Sequence, residues 1–403
     1  MMTPWLSVVL ALVSLCGVDA EDYGARGHRG RGHGGRGHRG RGIEPPAAFR
    51  EIEARYAAST DELTGAYAVG KCRLRNMGVR RSWDVLPDYE RRDYIRAVKC
   101  LHNKRSKADA KVAPGNRNRM DDFTSSHIKA ANVIHSSGFF LPWHRQFVWA
   151  YEKSLREECH YRGHQPYWDF SRWSDNQLAS PVFDGSSTSF GGDGEAIGDQ
   201  SRNLTAPGLP GDIIFTVNAG TGGGCVTTGP FSHNFKLSLG PVVSSPPVDP
   251  VGDPFGLGYN PRCLMRSFWP PASVLGLNWA NVTRLLQTET IHEFRPLIEM
   301  DPFGVHVSAH GAVGGETVDF FSSPGDPIFY LLHAQIDRIW TMWQGQDWAS
   351  RTYALDGPST FQNLPPSANV TTESLLQMGY AGGPVPVRDA MSPIDGPFCY
   401  RYE

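Results

Sequence analysis

The chain lacks any apolar run long enough to cross a bilayer: the stretch from Leu6 to Leu15 stops well short of the roughly 20 residues a spanning helix needs. It also lacks a dominant charge. Lysine and arginine total 39 against 41 aspartate and glutamate, a formal net charge of -2, so the protein as a whole carries no footprint of a nucleic-acid binder. There is no Cys-x-x-Cys pair, which argues against a zinc ribbon. The Gly-rich run from Gly220 to Gly224 has no Lys-Ser/Thr behind it, so it reads as a turn and not as a phosphate loop. No internal repeat of fixed period is present. What is there suits a globular core: 40 % of residues are hydrophobic, and 11 Trp, 20 Phe and 14 Tyr supply large side chains to bury. At 403 residues the chain is long enough for one large domain or two modest ones.

The short apolar run ends in small residues, with Val18-Asp19-Ala20 resembling a cleavage site, so residues 1–20 are predicted to be a signal peptide and the protein to be secreted and extracellular. Residues 21–48 follow as a Gly/Arg/His-rich tail, with His28, His33 and His38 between the arginines. It has almost nothing to bury and is predicted to be disordered. A solvated tail is favoured over an arginine-glycine segment for nucleic acid, because Tyr23 is its single stacking residue. Weak metal capture by its histidines is a further reading. Residues 49–403 read as the folded domain. Once Cys16 leaves with the signal, Cys72, Cys100, Cys159, Cys225, Cys263 and Cys399 remain, an even set that suggests three disulfides. Spacing does not choose among their pairings. Sequons at Asn203, Asn281 and Asn369 offer glycan sites.

Periodicity places helices at Pro87 to Leu101, Asp122 to His135 and Pro142 to about Glu158. A further helix runs from Asn281 towards Ile298, interrupted at Pro296, and the clearest runs from Pro327 to Trp343 with an apolar stripe on one face. Between about Ser171 and Pro271 lies a long irregular stretch, a length that tends to be functional or pinned; a bridge between Cys225 and Cys263 would pin it.

The chemistry lies in the histidines. His306 and His310 are i, i+4, so on a helix both rings leave the same face. One such pair is weak evidence. His333 sits on the apolar stripe of the Pro327 to Trp343 helix, where a lone histidine is more often a hydrogen-bonded core residue. Yet burial keeps imidazole neutral, and neutral imidazole binds metal. His127 and His135 are eight apart on one predicted helix, roughly 80° around its axis. His144 opens the helix after the turn Ser136-Ser137-Gly138. Two sets of three histidines, each drawn from two helices, are far less accidental than one. No Asp or Glu stands at ligand spacing inside either set, which argues against a carboxylate-bridged di-iron site and most two-zinc hydrolases. All-nitrogen ligation points to copper, and two facing sets to a copper pair sharing one O2.

At these residues the sequence resembles the tyrosinase family, whose members include catechol oxidases and, more distantly, hemocyanins. The first motif runs from His135 through Ser-Ser-Gly-Phe-Phe-Leu-Pro-Trp to His144-Arg145, with Glu152 eight residues beyond. The second runs from Asp326-Pro327-Ile328-Phe329 through His333 to Asp337-Arg338, and Tyr400-Arg401-Tyr402 resembles the tyrosine motif that closes the family's catalytic domain. The short His127 to His135 spacing looks most like the short secreted fungal-type enzymes. The resemblance implies a mainly α fold, a four-helix bundle core holding a dinuclear copper site, wrapped by long loops with few short strands. It implies that His127, His135 and His144 bind one of two copper ions and His306, His310 and His333 the other. Arg145, Asp337 and Arg338 are expected either to fix helices and support the ligands or to be ordinary ion pairs. Glu299 matches a glutamate that, with an Asn, is proposed in the family to hold a water that deprotonates phenol. Here Val307 stands in the Asn position, which puts phenol hydroxylation in doubt. Leu332 replaces the first of two adjacent histidines found in many members, leaving His333 as the ligand. No Cys lies between Asp122 and His144, so no thioether link is expected. No counterpart of the long C-terminal shielding domain of many latent forms is expected, and Gly311 is expected to leave room above the site.

The function implied is oxidation of o-diphenols to o-quinones with O2. A monophenol-hydroxylating tyrosinase and an o-aminophenol oxidase are the near alternatives. A hemocyanin-like O2 carrier and a non-catalytic matrix protein are those of another class. The expected partners are a small phenolic substrate and O2, with no membrane and no nucleic acid; the sequence sets no oligomeric state.

Overall fold

The computed structural model describes residues 42–66, 72–205, 214–232, 234–242, 255–300 and 303–403. The predicted signal peptide and the tail as far as residue 41 lie outside the described residues. The tail was expected to reach residue 48, but residues 42–48, though mostly exposed, are already tied to the fold. The Ile43 amide donates to the Arg172 carbonyl at 2.7 Å, and the Ile43 carbonyl accepts from Trp279 Nε1 at 3.0 Å. Composition explains the shift: after Gly42 the glycines stop, and Ile43, Pro45, Pro46 and Phe49 take over. Phe49 is buried against the Trp279 ring at 4.5 Å.

Among the described residues there are ten α-helices. They are α1 (Ala47–Ala66), α2 (Asp88–Asn103), α3 (Arg119–Ile134), α4 (Phe140–Cys159), α5 (Pro270–Gly276), α6 (Trp279–Leu286), α7 (Ile291–Glu299), α8 (Val305–Val313), α9 (Ile328–Gly345) and α10 (Trp348–Arg351). Their ends follow local chemistry. α3 starts three residues before the expected Asp122 because Asn118 and Asp121 form a reciprocal capping box. α4 starts ahead of Pro142, which occupies the third helical position, where a missing N–H leaves no intrahelical bond unmade. The expected single helix from Asn281 divides instead into α6 and α7. The break is set by Thr290, which caps α7 in a box with Glu293, and not by Pro296, which lies inside α7. Pro296 and His292 are exposed, so the His292 carbonyl that loses its helical partner faces solvent.

α9 departs most from expectation. Its apolar stripe suggested one buried face, yet all 18 of its residues are buried. α1, α4, α6 and α8 pack around it, so it is the central helix of the molecule. α3, α4, α8 and α9 together form the four-helix core. α4 packs on α3 and α9, α8 packs on α9, and α2 flanks α3 and α4. Strands are few and short: among the described residues they form five two-stranded pairs.

The three disulfides are Cys72–Cys399, Cys100–Cys159 and Cys225–Cys263. The first lies beside a parallel pairing of Gly78–Arg80 with Tyr400–Tyr402, which brings the start and end of the folded chain together. The second joins α2 to α4. The third pins the long irregular stretch, as expected. That stretch is also held by two buried ion pairs that spacing did not reveal, Arg262–Glu316 at 2.6 Å and Arg266–Asp326 at 2.8 Å. The sequons differ. Asn203 and Asn369 are exposed. The Asn281 amide instead donates to the Gly276 carbonyl at 2.8 Å and the Phe303 carbonyl at 3.0 Å, so it is occupied within the fold.

Candidate metal centre

Six of the histidines converge in the helical core. His127 lies on α3 and His144 on α4. His135 was expected inside the helix of His127, but it is the first residue beyond α3, with extended backbone (φ -107°, ψ 151°). Ser136 then turns through φ 47°, and this turn swings His135 back over the helix end. One nitrogen from each of His127, His135 and His144 lies within 4.8 Å of the others, and all three residues are buried. His306 and His310 lie one turn apart on α8, His333 lies on α9, and their nitrogens meet the same limit.

Backbone carbonyls aim the rings. His127 Nδ1 faces the Phe321 carbonyl at 2.7 Å, His135 Nδ1 the Ala131 carbonyl at 2.9 Å and His144 Nδ1 the Phe140 carbonyl at 2.8 Å. A carbonyl only accepts, so each Nδ1 carries the proton and each Nε2 presents a bare lone pair. Nε2 of His127 and of His144 are buried with no hydrogen-bond partner. In the second trio His310 Nδ1 faces the Thr317 carbonyl at 2.5 Å, and its Nε2 lies 3.0 Å from His306 Nε2 and 3.2 Å from His333 Nε2. Lone pairs brought this close need a shared cation or proton between them. Burial favours the cation: it lowers all six pKa values, His135 to about 3 and His310 to about 4, with the remaining four held well below the usual value. Neutral imidazoles aimed at a common point are the donor set a metal requires.

The two trios face each other. The His144 and His333 rings stack at 4.4 Å and 11°, and His306 lies 6.1 Å from His135 and 6.2 Å from His144. Neither trio includes a carboxylate or thiolate. All six cysteines of the described domain are spent in disulfides, so none is left for a thioether link. Aromatic residues that spacing did not single out wall the centre. Phe329 packs on His333 at 4.1 Å and on His127 at 5.3 Å, Phe140 on His306 at 4.7 Å, and Phe320 on His135 at 4.5 Å. His310 and Phe320 are half-buried and mark the side nearest solvent. Leu332 is fully buried and lies outside the trio, which leaves His333 as the α9 member.

The hydrogen bonds of Arg145, Asp337 and Arg338 run to other charged and polar groups and not to the imidazoles. Asp337 accepts from Arg145 Nε at 2.6 Å, from Arg80 Nη1 at 3.2 Å and from the Tyr400 and Tyr402 hydroxyls at 2.6 Å each. Arg145 follows His144 and Asp337 lies four beyond His333. The pair therefore fixes the rotation of α4 against α9, and with it the approach of the two trios. Arg80 also pairs with Glu152 at 2.6 Å. Burial alone would raise Glu152, but Arg80 and His164 hold it down to about 2. Arg338 pairs with Glu53 on α1.

Glu299 ends α7, fully buried. Its carboxylate accepts the Ser136 amide, next to His135, and lies 3.6 Å from Arg295. Burial pushes its pKa up to about 8 against the opposing pull of Ser136 and Arg295. Val307, in contrast, is 41 % exposed. A Cβ built on Gly311 would meet only Ala272 at 3.6 Å and Trp269 at 4.0 Å, so the position does leave space, on the side facing α5.

Residues 117–346 match the common central domain of tyrosinase. The chain is 38 % identical over 351 residues to Tyrosinase P of Aspergillus terreus, covering 86 % of this chain and 97 % of that protein. It is 34 % identical to N-acetyl-6-hydroxytryptophan oxidase of Emericella nidulans, over 86 % of this chain and 98 % of that one. Among solved structures it is similar to a polyphenol oxidase mutant from Thermothelomyces thermophila, with a TM-score of 0.83, 36 % identity and coverage of 89 % of this chain and 99 % of that chain.

Proposed function

Since the chain belongs to the tyrosinase family of dinuclear copper oxidases, we propose that it oxidises o-diphenols to o-quinones with O2, with His127, His135 and His144 holding one copper ion and His306, His310 and His333 the other. The observation that carries this reading is the pair of all-nitrogen trios facing each other across the core. The family's two copper ions, when bound, supply the two-electron exchange between phenol and dioxygen.

The residues supply the rest. Four Nδ1–H groups donating to backbone carbonyls fix which nitrogen faces inward. The low pKa values keep the rings neutral through the working pH range, so protons do not compete with metal. Phe140 and Phe329 exclude water from between the trios. The substrate approaches on the half-buried side, past His310 and Phe320. Glu299 acts as the catalytic acid–base group: its raised pKa suits it to take a proton through a water near Ser136 and return it. With Val307 exposed and no amide in that place, the water is held from one side only, so monophenol hydroxylation is slow against diphenol oxidation. The reaction balances as two catechols losing two electrons and two protons each, while one O2 gains four of each to form two waters. The short apolar run ending at Val18-Asp19-Ala20 supports a signal peptide at residues 1–20 and a secreted enzyme.

O2 uptake by the copper-loaded protein tests this. Immediate uptake with catechol and much slower uptake with phenol is the expected result. Equal initial rates on both point to a monophenol-hydroxylating tyrosinase. Uptake with a hydroxyindole in place of catechol favours the activity named for the Emericella nidulans relative. No uptake with any of these overturns the oxidase reading.

A further inference from the structure

The surface ahead of α3 carries charge that the oxidase chemistry does not use. Residues 99–119 hold seven lysines and arginines against one aspartate, in a chain whose formal net charge is -2. Between α2 and α3 the segment doubles back on itself. Arg105 is bridged to Asn118, the Ser106 amide donates to the Arg117 carbonyl at 3.2 Å, and the Arg119 amide donates to the Lys104 carbonyl at 2.9 Å. Its far end is tied by the Gly115 amide to the Leu257 carbonyl at 2.8 Å. His102 Nε2, at the end of α2, meets the Lys236 carbonyl at 2.8 Å, which brings exposed Lys236 to the edge of this surface.

Among the described residues, the ion pairs here are those of Lys107 and Arg119 with Glu158, each at 3.0 Å, and of Arg119 with Asp122. Lys99, Lys104, Arg105, Lys111 and Lys236 take part in none of them, and all but half-buried Lys104 are exposed. Asp109, the one acid of the segment, accepts the Lys111 amide at 2.9 Å. Arg117 lies over the Tyr259 ring at 3.9 Å and donates to the Pro114 and Asn116 carbonyls, so its charge is held in place without being neutralised. Like charges on a fixed scaffold repel one another, a cost that an anionic partner removes. Because the scaffold is already ordered, binding loses little entropy.

We infer that this face binds an anionic polysaccharide, a chain bearing carboxylate or sulfate groups. The inference goes beyond the oxidase reading and does not depend on it. His127 lies eight residues along α3 from Arg119, about 12 Å at ~1.5 Å per residue, so the face is separate from the histidine trios. The neighbouring rings favour a saccharide over a nucleic acid. Arg117 covers Tyr259, Lys99 lies over buried Phe231, and His102 stacks on buried Phe235, so cations sit on the rings that a base would need for stacking. The export proposed above brings the protein to polymers outside the cell, whose anionic members are carboxylated and sulfated sugars.

The test uses the full chain, its Lys104→Glu/Arg105→Glu/Lys111→Glu variant and, because residues 21–41 carry six arginines of their own, a form with those six replaced by serine. Binding to polygalacturonate and to heparin is measured across a salt series, with dextran as the neutral control. Five or six contacting cations predict that log Kd rises with log salt with a slope on the order of 3. The glutamate variant should bind at least about ten-fold more weakly at low salt and lower that slope by about 2. Its Tm and its turnover of soluble catechol should be unchanged. The serine form should still bind, and should lose that binding when the three glutamates are added. Three outcomes overturn the inference: a natural chain that ignores both polyanions, a glutamate variant that binds as the natural chain does, or binding that vanishes with the six arginines alone. Tighter binding of double-stranded DNA or of phosphatidylserine vesicles than of either polysaccharide overturns the choice of partner. The oxidase reading stands in every case.

Discussion

The two histidine trios have the same composition but are held differently. In the first, all three Nδ1 atoms face backbone carbonyls, and the His135 turn is clamped by the Gln362 amide on the Ser136 carbonyl at 3.0 Å. In the second, His310 has such a bond, while the Glu299 carbonyl acts on His306 without meeting full hydrogen-bond geometry. Nδ1 of His306 and of His333 are buried without a hydrogen bond of good geometry, and those rings are positioned by packing on Phe140, Phe329 and His144. Carbonyl-anchored rings are oriented before metal arrives; packed rings leave more of the ordering to the metal itself. The contrast implies a rigid first site and a second site that copper helps to organise, on the half-buried side marked by His310 and Phe320.

The largest expected effect ignores this contrast and sets its baseline. His144→Ala or His306→Ala removes one donor from one trio. Catechol turnover should fall at least ~1,000-fold in either variant, since a two-electron exchange needs both ions. Metal analysis should find the damaged trio emptied and the intact one still loaded. Loss of both ions from His144→Ala would mean that the trios are not separate binding units.

Asp337→Ala comes next. It leaves Arg145 in the core with no carboxylate and Arg80 with Glu152 alone, so unfolding stability should drop by about 3–5 kcal/mol. Because Asp337 locks α4 to α9, copper affinity should fall at both trios alike. A loss confined to the second trio would show that the contrast lies in the helices and not in the rings.

How much of this was readable beforehand follows the same division between rings and surroundings. The convergence of the six histidines was legible because side chains carried the signal, through i, i+4 spacing, an apolar stripe and two long motifs. The anchors of the first trio were not, because a backbone carbonyl belongs to every residue and leaves no mark in sequence. Arg80 joins Asp337 and Glu152 across long sequence separations, which no local window connects. Thr290 was a visible cap before Glu293, but Pro296 drew the helix break to itself. α9 read as one-faced because its Gln335, Asp337, Arg338 and Gln344 are polar, yet all four are buried.

A pH series on metal-free protein probes both trios together. The folded histidine pKa values lie below the ordinary value of about 6.5, so the folded state binds fewer protons than the unfolded state as pH falls below that point. The stabilising contribution present above about pH 6.5 should therefore decline through pH 4 to 3, by a few kcal/mol in urea unfolding. Copper-loaded protein should resist this decline until protons displace the metal. Identical pH curves with and without copper would contradict neutral, ligating imidazoles.

Chelation addresses the contrast itself. During dialysis against a chelator, the second-trio copper should leave first, about ten-fold faster, matching the lower end of what a missing ligand-supporting bond costs. His144→Ala and His306→Ala, each retaining one ion, allow the two release rates to be measured separately. Equal rates would erase the distinction drawn from Nδ1 bonding. The smallest effect is expected from Glu299→Gln, which can still accept the Ser136 amide. It should keep both copper ions while kcat on catechol falls several-fold, and more on phenol.

Stepwise copper loading of the metal-free protein, with bound copper and catechol-dependent O2 uptake followed together, tests the facing trios most directly. Binding should end at two ions per chain, with uptake appearing only as the second ion goes in. Saturation at one ion, or uptake that rises fully with the first, would contradict a centre built from two cooperating sets of three imidazoles.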